Sequence, residues 1–444
     1  MMWNIKKLFR TPSYKIQIIV FAFVVLVFSV LPVCNYFRSD TKDRTKDYGK
    51  LYRVGQIVLQ EGDIYHKRKD SNFQFMYPPT AAVFLAITSM AGLLPFIVIF
   101  VLANSVAWAG SILLSIYLVT GKILRQHPLL YLVPAFCCAP YVWDIYMLGQ
   151  PNLLLLVCML GAFASLQSKK DWCAGALIAL AAAIKAFPIL SIAYLVYRKR
   201  WKALYSTFAF LFFLIVLLPV PFWGFHRNLK DIQTWSEGMV FRYDATSIAQ
   251  RPDRGYSYKN QSLIAVANRL LRPVDAFQTK SKPVCVNFTD IDFKYINAII
   301  ICAGLGLCFF YITSMPRHNC CTAYTNAIEY AMLLLLILIF TPLSFTYFYV
   351  WLLYPVTVVM DILIKAPHRS RQKTAILCWF AVCLILLGFM LPIPTFDQLT
   401  SRGNTFWAST FLLFGLGWKL RQLRTLPYSK YGSAIEIARE NCLP

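Results

Sequence analysis

The chain has 444 residues, of which 58% are hydrophobic, 16% aromatic and only 14% charged. A soluble globular domain carries about 25% charged residues, so this composition excludes that class and indicates an integral membrane protein. The 44 Lys and Arg against 20 Asp and Glu give a formal charge of +24, which either the positive-inside rule or a phosphate-bearing substrate explains. Because the sequence has no basic stripe with interleaved aromatics outside the membrane junctions, we expect no nucleic-acid partner.

Apolar segments follow one another along the chain, so we predict one all-α, polytopic transmembrane domain over residues 1–444. The hydropathy fits about ten to twelve membrane segments and leaves the number of crossings between residues 78 and 119 open. The first apolar run, residues 16–33, follows basic residues without a small-residue cleavage site. It predicts an uncleaved first helix with a cytoplasmic N-terminus.

Polar stretches divide this domain into membrane and external parts. We expect a first external loop over residues 35–76, a large external loop over residues 223–293 and a cytoplasmic tail over residues 419–444. Basic clusters bound residues 128–167, which predicts a hairpin with an external apex at Gln150, and a similar break divides two short helices at Lys185. These assignments place the polar features of the chain on one, non-cytoplasmic face.

The first external loop holds an apolar stripe at helical spacing, from Tyr48 to Leu59, which predicts an amphipathic helix on the membrane surface that stops near Gly62. Asp47 lies at or just before its first turn. The simpler interpretation makes Asp47 an N-cap, and the functional one makes it a general base whose ionised form the helix N-terminus favours.

Lys185 lies in the apolar stretch "ALAAAIKAFPIL". A charge at the middle of a membrane helix costs about 2.5–3.5 kcal/mol on insertion scales. The lysine therefore either extends its ammonium to the interface or meets a phosphate there.

Several polar residues have both a structural and a functional interpretation. Gln150 and Asn152 form a turn or bind a polar ligand, and Asn260 or Ser262 caps a short helix. Arg269 on that helix clamps a phosphate or carboxylate, or is solvated. Tyr77 begins "YPP", an extended entry into the next apolar run.

Cysteine and histidine do not indicate a metal site. Most of the 13 cysteines lie in apolar runs, and the five histidines are far apart without an HExxH motif. We therefore expect no metal and no cofactor.

The order of these motifs resembles glycosyltransferase family 87 over about residues 15–365. The shared features are an external Asp followed by an aromatic residue, then "EGDIY", "FMYPP", "LGQPN", "AGALIALAAAIKAFPIL" ending in "RKRWK", "NQSL" with a following Arg, and "TPLSFTYFYVWLL". Members are polytopic GT-C-type enzymes, typified by polyprenyl-phosphate-mannose-dependent α-mannosyltransferases. The run from Gly149 to Trp201 is the most specific part of the resemblance.

The resemblance implies inverting transfer of a hexose, typically mannose, from a polyprenyl-phosphate donor to a lipid or glycan acceptor. The implied location is a bacterial inner membrane, in contact with membrane lipids and with the active site on the outer face. Asp47 takes the place of the general base, and Lys185 and Arg269 bind the donor phosphate. The substrate-binding positions implied by the resemblance are Tyr77, Gln150, Asn152, Asn260, Gln261, Ser344 and Tyr347.

One position departs from the family pattern. After the serine of "TPLS" the family usually has a tryptophan and then a histidine, whereas this chain has Tyr347 where the histidine is expected. Tyrosine donates a hydrogen bond but does not become a cation near neutral pH. A transporter or a flippase for lipids or lipid-linked sugars is the alternative function, although few paired intramembrane charges and no repeat support it.

Overall fold

The computed structural model describes residues 12–37, 45–65, 75–123, 126–241, 256–277, 283–367, 370–388 and 393–424. Within these ranges the chain folds into helices joined by turns and short loops, which confirms the all-α prediction. An isolated antiparallel bridge joins Asn260 to Phe345, and it links the large external loop to the turn before a 3-10 helix.

The first part of the described chain forms helices whose boundaries follow the predicted breaks. They are α1 (Pro12–Phe37), α2 (Lys46–Leu59), α3 (Pro79–Ser89), α4 (Leu93–Thr120), α5 (Leu129–Leu148), α6 (Asn152–Gln167), α7 (Asp171–Ile184), α8 (Ile192–Tyr197) and α9 (Trp201–Phe212). A 3-10 helix, Phe187–Ser191, precedes α8, and a π-helical turn, Phe213–Leu217, extends α9.

The second part continues the pattern. Its helices are α10 (Val220–Trp223), α11 (Phe225–Trp235), α12 (Leu263–Leu271), α13 (Phe293–Ser314), α14 (Ala323–Phe340), α15 (Leu353–Lys365), α16 (Arg371–Leu387), α17 (Ile393–Ser401) and α18 (Asn404–Arg424). A π-helical turn, Ser236–Val240, follows α11, and a 3-10 helix, Thr346–Leu352, leads into α15. Helix α18 runs to Arg424 and so includes the first residues of the predicted tail, 419–444; residues 425–444 lie outside the described part, and the cytoplasmic location stays a prediction.

Among the described residues, seven helical spans are long and apolar enough to cross a membrane, which makes the protein a multi-pass membrane protein. They are Ile19–Phe37, Leu93–Thr120, Leu129–Leu148, Trp201–Trp223, Phe293–Ser314, Ala323–Phe340 and Thr346–Lys365. Shorter apolar helices occupy Pro79–Ser89, Asn152–Gln167, Asp171–Ile184 and Phe187–Tyr197, where the hydropathy alone predicted further crossings.

The segment whose crossings the sequence left open consists of one short and one long helix. The break lies at Gly92, whose φ of 99° is in the left-handed region, and α4 then runs for 28 residues. At 1.5 Å per residue such a helix is about 42 Å long, so it exceeds a hydrocarbon core of about 30 Å.

The centre of the helical bundle is formed by α14 and by the span that ends in α15. Of the most apolar window in each, 78% of Ala323–Phe340 and 89% of Thr346–Lys365 is buried, against 6% of Ile19–Phe37. The peripheral α1 contacts α4 through Phe21 and Phe28, whose rings lie 5.0 and 6.0 Å from that of Trp108. The 3-10 helix before α15 therefore starts at the residues of the candidate site and leads into the buried centre of the bundle.

Candidate active site

Asp47 lies in the first turn of α2, so the N-cap interpretation is wrong. The N-cap residue is Thr45, and no side chain caps this helix end. Lys50 Nζ lies 3.2 Å from Asp47 Oδ1, and Gln150 Nε2 donates to Asp47 Oδ2 over 2.7 Å. The Asp47 carboxylate is a quarter exposed. Its Oδ1 contacts the exposed Lys50, and its Oδ2 contacts the more enclosed Gln150.

The apolar stripe of α2 packs against α3. Tyr48, Leu51 and Val58 are buried, as the pattern predicts, but Leu59 is 38% exposed. The close approach of α2 to α3 depends on Gly55, where a Cβ would lie 2.4 Å from the Leu85 carbonyl oxygen. Packing between helices therefore fixes the direction in which Asp47 points.

The predicted hairpin apex fits against this same helix. Gly149 ends α5 with a φ of 81°, and a Cβ there would lie 2.8 Å from the Tyr48 ring. The Tyr48 hydroxyl in turn donates to the Tyr146 carbonyl over 2.8 Å. Only glycine satisfies both the left-handed conformation and the ring contact, so the "LGQPN" turn holds Gln150 next to Asp47.

Lys185 ends α7 in an extended conformation, and its ammonium is buried at 5% exposure. Nζ donates to Gln150 Oε1 over 2.9 Å and to Asn152 Oδ1 over 2.8 Å. None of the described carboxylates forms an ion pair with it. The amide oxygens thus supply hydrogen bonds but no negative charge.

Aromatic rings complete the surroundings of this ammonium. The centroids of Tyr77, Tyr347 and Phe348 lie 5.2, 5.1 and 4.7 Å from Lys185 Nζ. A cation is attracted to the face of such rings at this range. The Tyr77 hydroxyl also donates to Gln150 Oε1 over 3.2 Å, and burial together with the charge of Asp47 raises its pKa, so it remains a donor.

Asn260, Gln261 and Ser344 meet in a second cluster. Asn260 Oδ1 accepts from the backbone N–H of Ser344 over 3.0 Å, and Asn260 Nδ2 donates to the Pro342 carbonyl over 2.9 Å. Gln261 Nε2 donates to the Thr400 carbonyl over 2.7 Å. The cap of α12 is Ser262 rather than Asn260: Ser262 Oγ accepts from Ala265 N. This cluster joins "KNQS" to "TPLS" through backbone groups.

Arg269 belongs to the second cluster and is fully buried, so the solvated alternative is wrong. Its Nε donates to the Ser401 carbonyl over 2.8 Å, and Nη1 donates to the carbonyls of Tyr256, Ser257 and Asn260 over 3.2, 2.8 and 2.7 Å. Among the described residues, Nη2 has no hydrogen-bond partner. Its role as a phosphate ligand stays a prediction, and that role would have to use Nη2.

The two clusters are adjacent in the chain. Ser344 is fixed by Asn260, and two residues later the 3-10 helix Thr346–Leu352 begins, which carries Tyr347 to Lys185. The structure therefore brings Asp47, Tyr77, Gln150, Asn152, Lys185 and Tyr347 together around one centre. It brings Asn260, Gln261, Ser344 and Arg269 together in the second cluster, and their roles in binding substrate or phosphate stay predictions.

Asp144 was missed by the sequence interpretation. It lies in the part of α5 that leads to the Gly149 turn. The signal was available, because Asp144 is a charge within the apolar stretch "APYVWDIYML", five residues before Gly149.

Helix α11, which the sequence interpretation also missed, contacts the segment between α2 and α3 at two places. Arg227 donates to the carbonyls of Glu61 and Gly62, and Trp235 Nε1 donates to the Met76 carbonyl over 3.2 Å. Met76 is the residue before Tyr77, so α11 steadies the segment that carries a site tyrosine.

A buried ion pair lies far from the site along the helices. Arg198 follows α8 and donates through Nε and Nη2 to Glu329 in α14, and the Tyr194 hydroxyl donates to the same carboxylate over 3.2 Å. Arg198 Nη1 also donates to the Pro316 carbonyl over 3.0 Å. Every described partner is thus internal, which is the pattern of a structural pair.

Within the described residues, no group of three or more His, Cys, Asp or Glu side chains is arranged to hold a metal ion. A family model for glycosyltransferase family 87 matches residues 75–342, more than half of the chain. The match includes Tyr77, Gln150, Asn152, Lys185 and Arg269, whereas Asp47 precedes it. Comparison with curated proteins gave no match.

Proposed function

The chain belongs to glycosyltransferase family 87 and is a membrane glycosyltransferase, and from this premise we propose that it transfers a hexose from a polyprenyl-phosphate donor. By the family resemblance the hexose is mannose and the acceptor is a lipid or a glycan. The observation that carries the proposal is Lys185: a buried cation without a described ion-pair partner, linked through one amide to Asp47.

Lys185 is suited to the donor phosphate. Its ammonium has three N–H groups, and two of them have described acceptors. Burying an unpaired cation is costly unless another charge compensates it, and a phosphate oxygen would supply both the charge and a third acceptor. Asn152 Nδ2, which has no partner among the described residues, offers a second donor on the same side chain that already contacts Nζ.

Asp47 is suited to act as the base. In a single displacement, the acceptor oxygen forms a bond to the anomeric carbon while the bond from that carbon to the phosphate oxygen breaks. The acceptor proton passes to Asp47, and the bonding electrons leave with the polyprenyl phosphate, whose charge Lys185 stabilises. A phosphate stabilised in this way needs little acid assistance, so one carboxylate suffices for an inverting reaction.

The direction of the helices supports a site on the non-cytoplasmic face. Helix α6 starts at Asn152 and ends before Lys169 and Lys170, and α7 returns from there to Lys185. The site and the basic cluster therefore lie at opposite ends of the same two helices. Because basic clusters favour the cytoplasm, the positive-inside rule puts the site on the other side, where a lipid-linked donor replaces nucleotide sugars.

The test is sugar transfer by the purified protein in detergent or liposomes, with polyprenyl-phosphate-mannose as donor and a membrane lipid extract as acceptor source. Mass spectrometry should detect a product one hexose heavier. Asp47→Asn should lower transfer by about 10²–10⁴-fold while donor binding persists. The exposed Asp290 gives a matched control, Asp290→Asn, which should transfer normally.

The same experiment separates the proposal from its alternatives. Full transfer by Asp47→Asn would remove Asp47 from the mechanism. If the wild-type protein moves the lipid-linked sugar across liposomes without forming product, the flippase alternative is correct and the proposed function is wrong.

A further inference from the structure

Gln150 has more contacts to the protein than a residue that simply lines a sugar pocket would need. It is 3% exposed, its Nε2 donates to Asp47, and its Oε1 accepts from both Lys185 and Tyr77. A primary amide has two donor and two acceptor positions, so three of the four are engaged by described side chains. We propose, building on the function given above, that Gln150 is a positioning residue that orients the Asp47 carboxylate.

The orientation of the Gln150 amide follows from the chemistry of its neighbours. The Lys185 ammonium only donates, so the atom 2.9 Å from it must be the amide oxygen. The amide nitrogen is then directed to Asp47 Oδ2, 2.7 Å away. The reverse orientation would set N–H against ammonium and carbonyl against carboxylate, two repulsive contacts. Lys185 thus fixes the amide, and the amide fixes the carboxylate.

The backbone holds Gln150 in place. Its N–H donates to the Ile145 carbonyl over 3.1 Å, and the preceding Gly149 packs against Tyr48, the residue after Asp47. Both ends of the contact between Gln150 and Asp47 are therefore tied to the same packed pair of segments, as a positioning residue requires.

The contact also distinguishes the two oxygens of Asp47. Oδ2 receives the enclosed Gln150 amide, whereas Oδ1 faces Lys50, whose side chain is 44% exposed and able to move aside. We therefore infer that Asp47 Oδ1 takes the proton of the acceptor hydroxyl, whereas Oδ2 accepts the hydrogen bond from Gln150. A carboxylate held at one oxygen presents the other in a fixed direction.

The charged and titratable groups that face Asp47 come from three segments. Lys50 lies on its own helix, Lys185 acts through Gln150 from the end of α7, and Tyr77 lies in the segment before α3. All remain when Gln150 is replaced. The substitution therefore removes the hydrogen bond to Asp47 Oδ2 and leaves these charges unchanged.

The variant Gln150→Met keeps side-chain length and removes the amide. We expect kcat to fall by about 10²-fold. The KM for the donor should stay nearly unchanged, because a positioning residue acts on the geometry of the reaction rather than on donor binding. Gln150→Glu places a second carboxylate beside Asp47, which repels it, and should lower kcat at least as far. Gln167→Met is the matched control, because Gln167 ends α6 at the opposite end and donates to the carbonyls of Leu118 and Ala323.

A second measurement does not depend on sugar transfer. Infrared spectra of the purified protein, with the Asp47 carboxylate band identified by its loss in Asp47→Asn, should show this band at a different frequency in Gln150→Met than in wild type, because the carboxylate has lost a hydrogen bond. An identical band would overturn the positioning role even if sugar transfer is normal. A shifted band in a protein that does not use polyprenyl-phosphate-mannose would uphold the positioning role and reject the proposed function.

The kinetic outcomes are equally decisive. An increased KM with an unchanged kcat would show that Gln150 binds the sugar and would overturn the proposal. If Gln150→Met fails to insert, Gln150→Glu supplies the test, because its side chain has the same shape and still accepts from Lys185.

Discussion

Replacing Lys185 by methionine separates an anion-binding role from a structural one. The substitution keeps the length of the side chain and removes a charge that is 5% exposed. A buried cation without a described ion-pair partner costs about 2.5–3.5 kcal/mol on insertion scales, which the variant recovers. Asn152 Oδ1 loses its donor, at a cost of about 1–3 kcal/mol, whereas Gln150 Oε1 keeps the Tyr77 hydroxyl. The balance runs from about 0.5 kcal/mol of destabilisation to about 2.5 kcal/mol of stabilisation, so the variant should not be less stable than wild type by more than about 1 kcal/mol.

Activity should respond very differently in the same variant. Loss of one donor that stabilises developing negative charge lowers kcat by about 10²–10³-fold in enzymes that use such sites. Mass spectrometry of product and differential scanning fluorimetry on one preparation would read both quantities. Lys202→Met is the matched control, since Lys202 is an exposed lysine at the start of α9.

Either of two results would refute this reasoning. Undiminished transfer would mean that no phosphate depends on Lys185. A fall in Tm of more than about 6 °C, well beyond what 1 kcal/mol produces, would mean that the ammonium serves to hold the surrounding segments together.

Three further substitutions test the Gly149 turn, the buried ion pair and a buried carboxyl of α11. Gly149→Ala puts a Cβ 2.8 Å from the Tyr48 ring at a φ of 81°, so unfolding should become easier by about 1–3 kcal/mol and transfer should fall; an unchanged Tm would contradict this. Glu329→Gln leaves Arg198 buried without its carboxylate and should lower stability by about 3–5 kcal/mol, with the donor KM unchanged in a transfer assay; a raised KM would argue against a purely structural pair. Burial raises the pKa of the Asp231 carboxyl to about 6, so the stability from its bound proton is present below about pH 4 and is lost as pH rises through about 6. Between pH 4 and pH 7 the Tm should therefore depend less steeply on pH in Asp231→Asn than in wild type. An identical dependence of Tm on pH would contradict a contribution of the Asp231 proton to stability.

The features that the sequence predicted are those set by local chemistry. Gly92 ends one helix, Gly149 closes a hairpin, and the break at Lys185 separates two short helices, each where a glycine or a proline interrupts an apolar run. Charge clusters then fix the orientation of each hairpin. Orientation alone was enough to predict that Asp47 and Gln150 share a face, but not that they touch.

The remaining features depend on contacts between distant segments. Arg269 has the same sequence signature whether it faces a ligand or a loop, and only the fold brings the Ser401 carbonyl, 132 residues away, to its Nε. Helix α2 was expected to lie on the membrane surface, yet Gly55 allows α3 to approach and bury the stripe. Hydrophobic spacing predicts that a face is covered but does not identify the element that covers it.

The tyrosine at position 347 is understandable from the charge beside it. Its ring centroid lies 5.1 Å from Lys185 Nζ, where the negative face of the ring attracts the ammonium. A protonated histidine in its place would set a second positive charge at that range, which at an effective dielectric of about 20 costs roughly 3 kcal/mol. Tyrosine keeps the aromatic contact without this repulsion. The departure from the family pattern is thus compatible with the proposed role of Lys185 at the donor phosphate, and it gives no reason to expect an inactive enzyme.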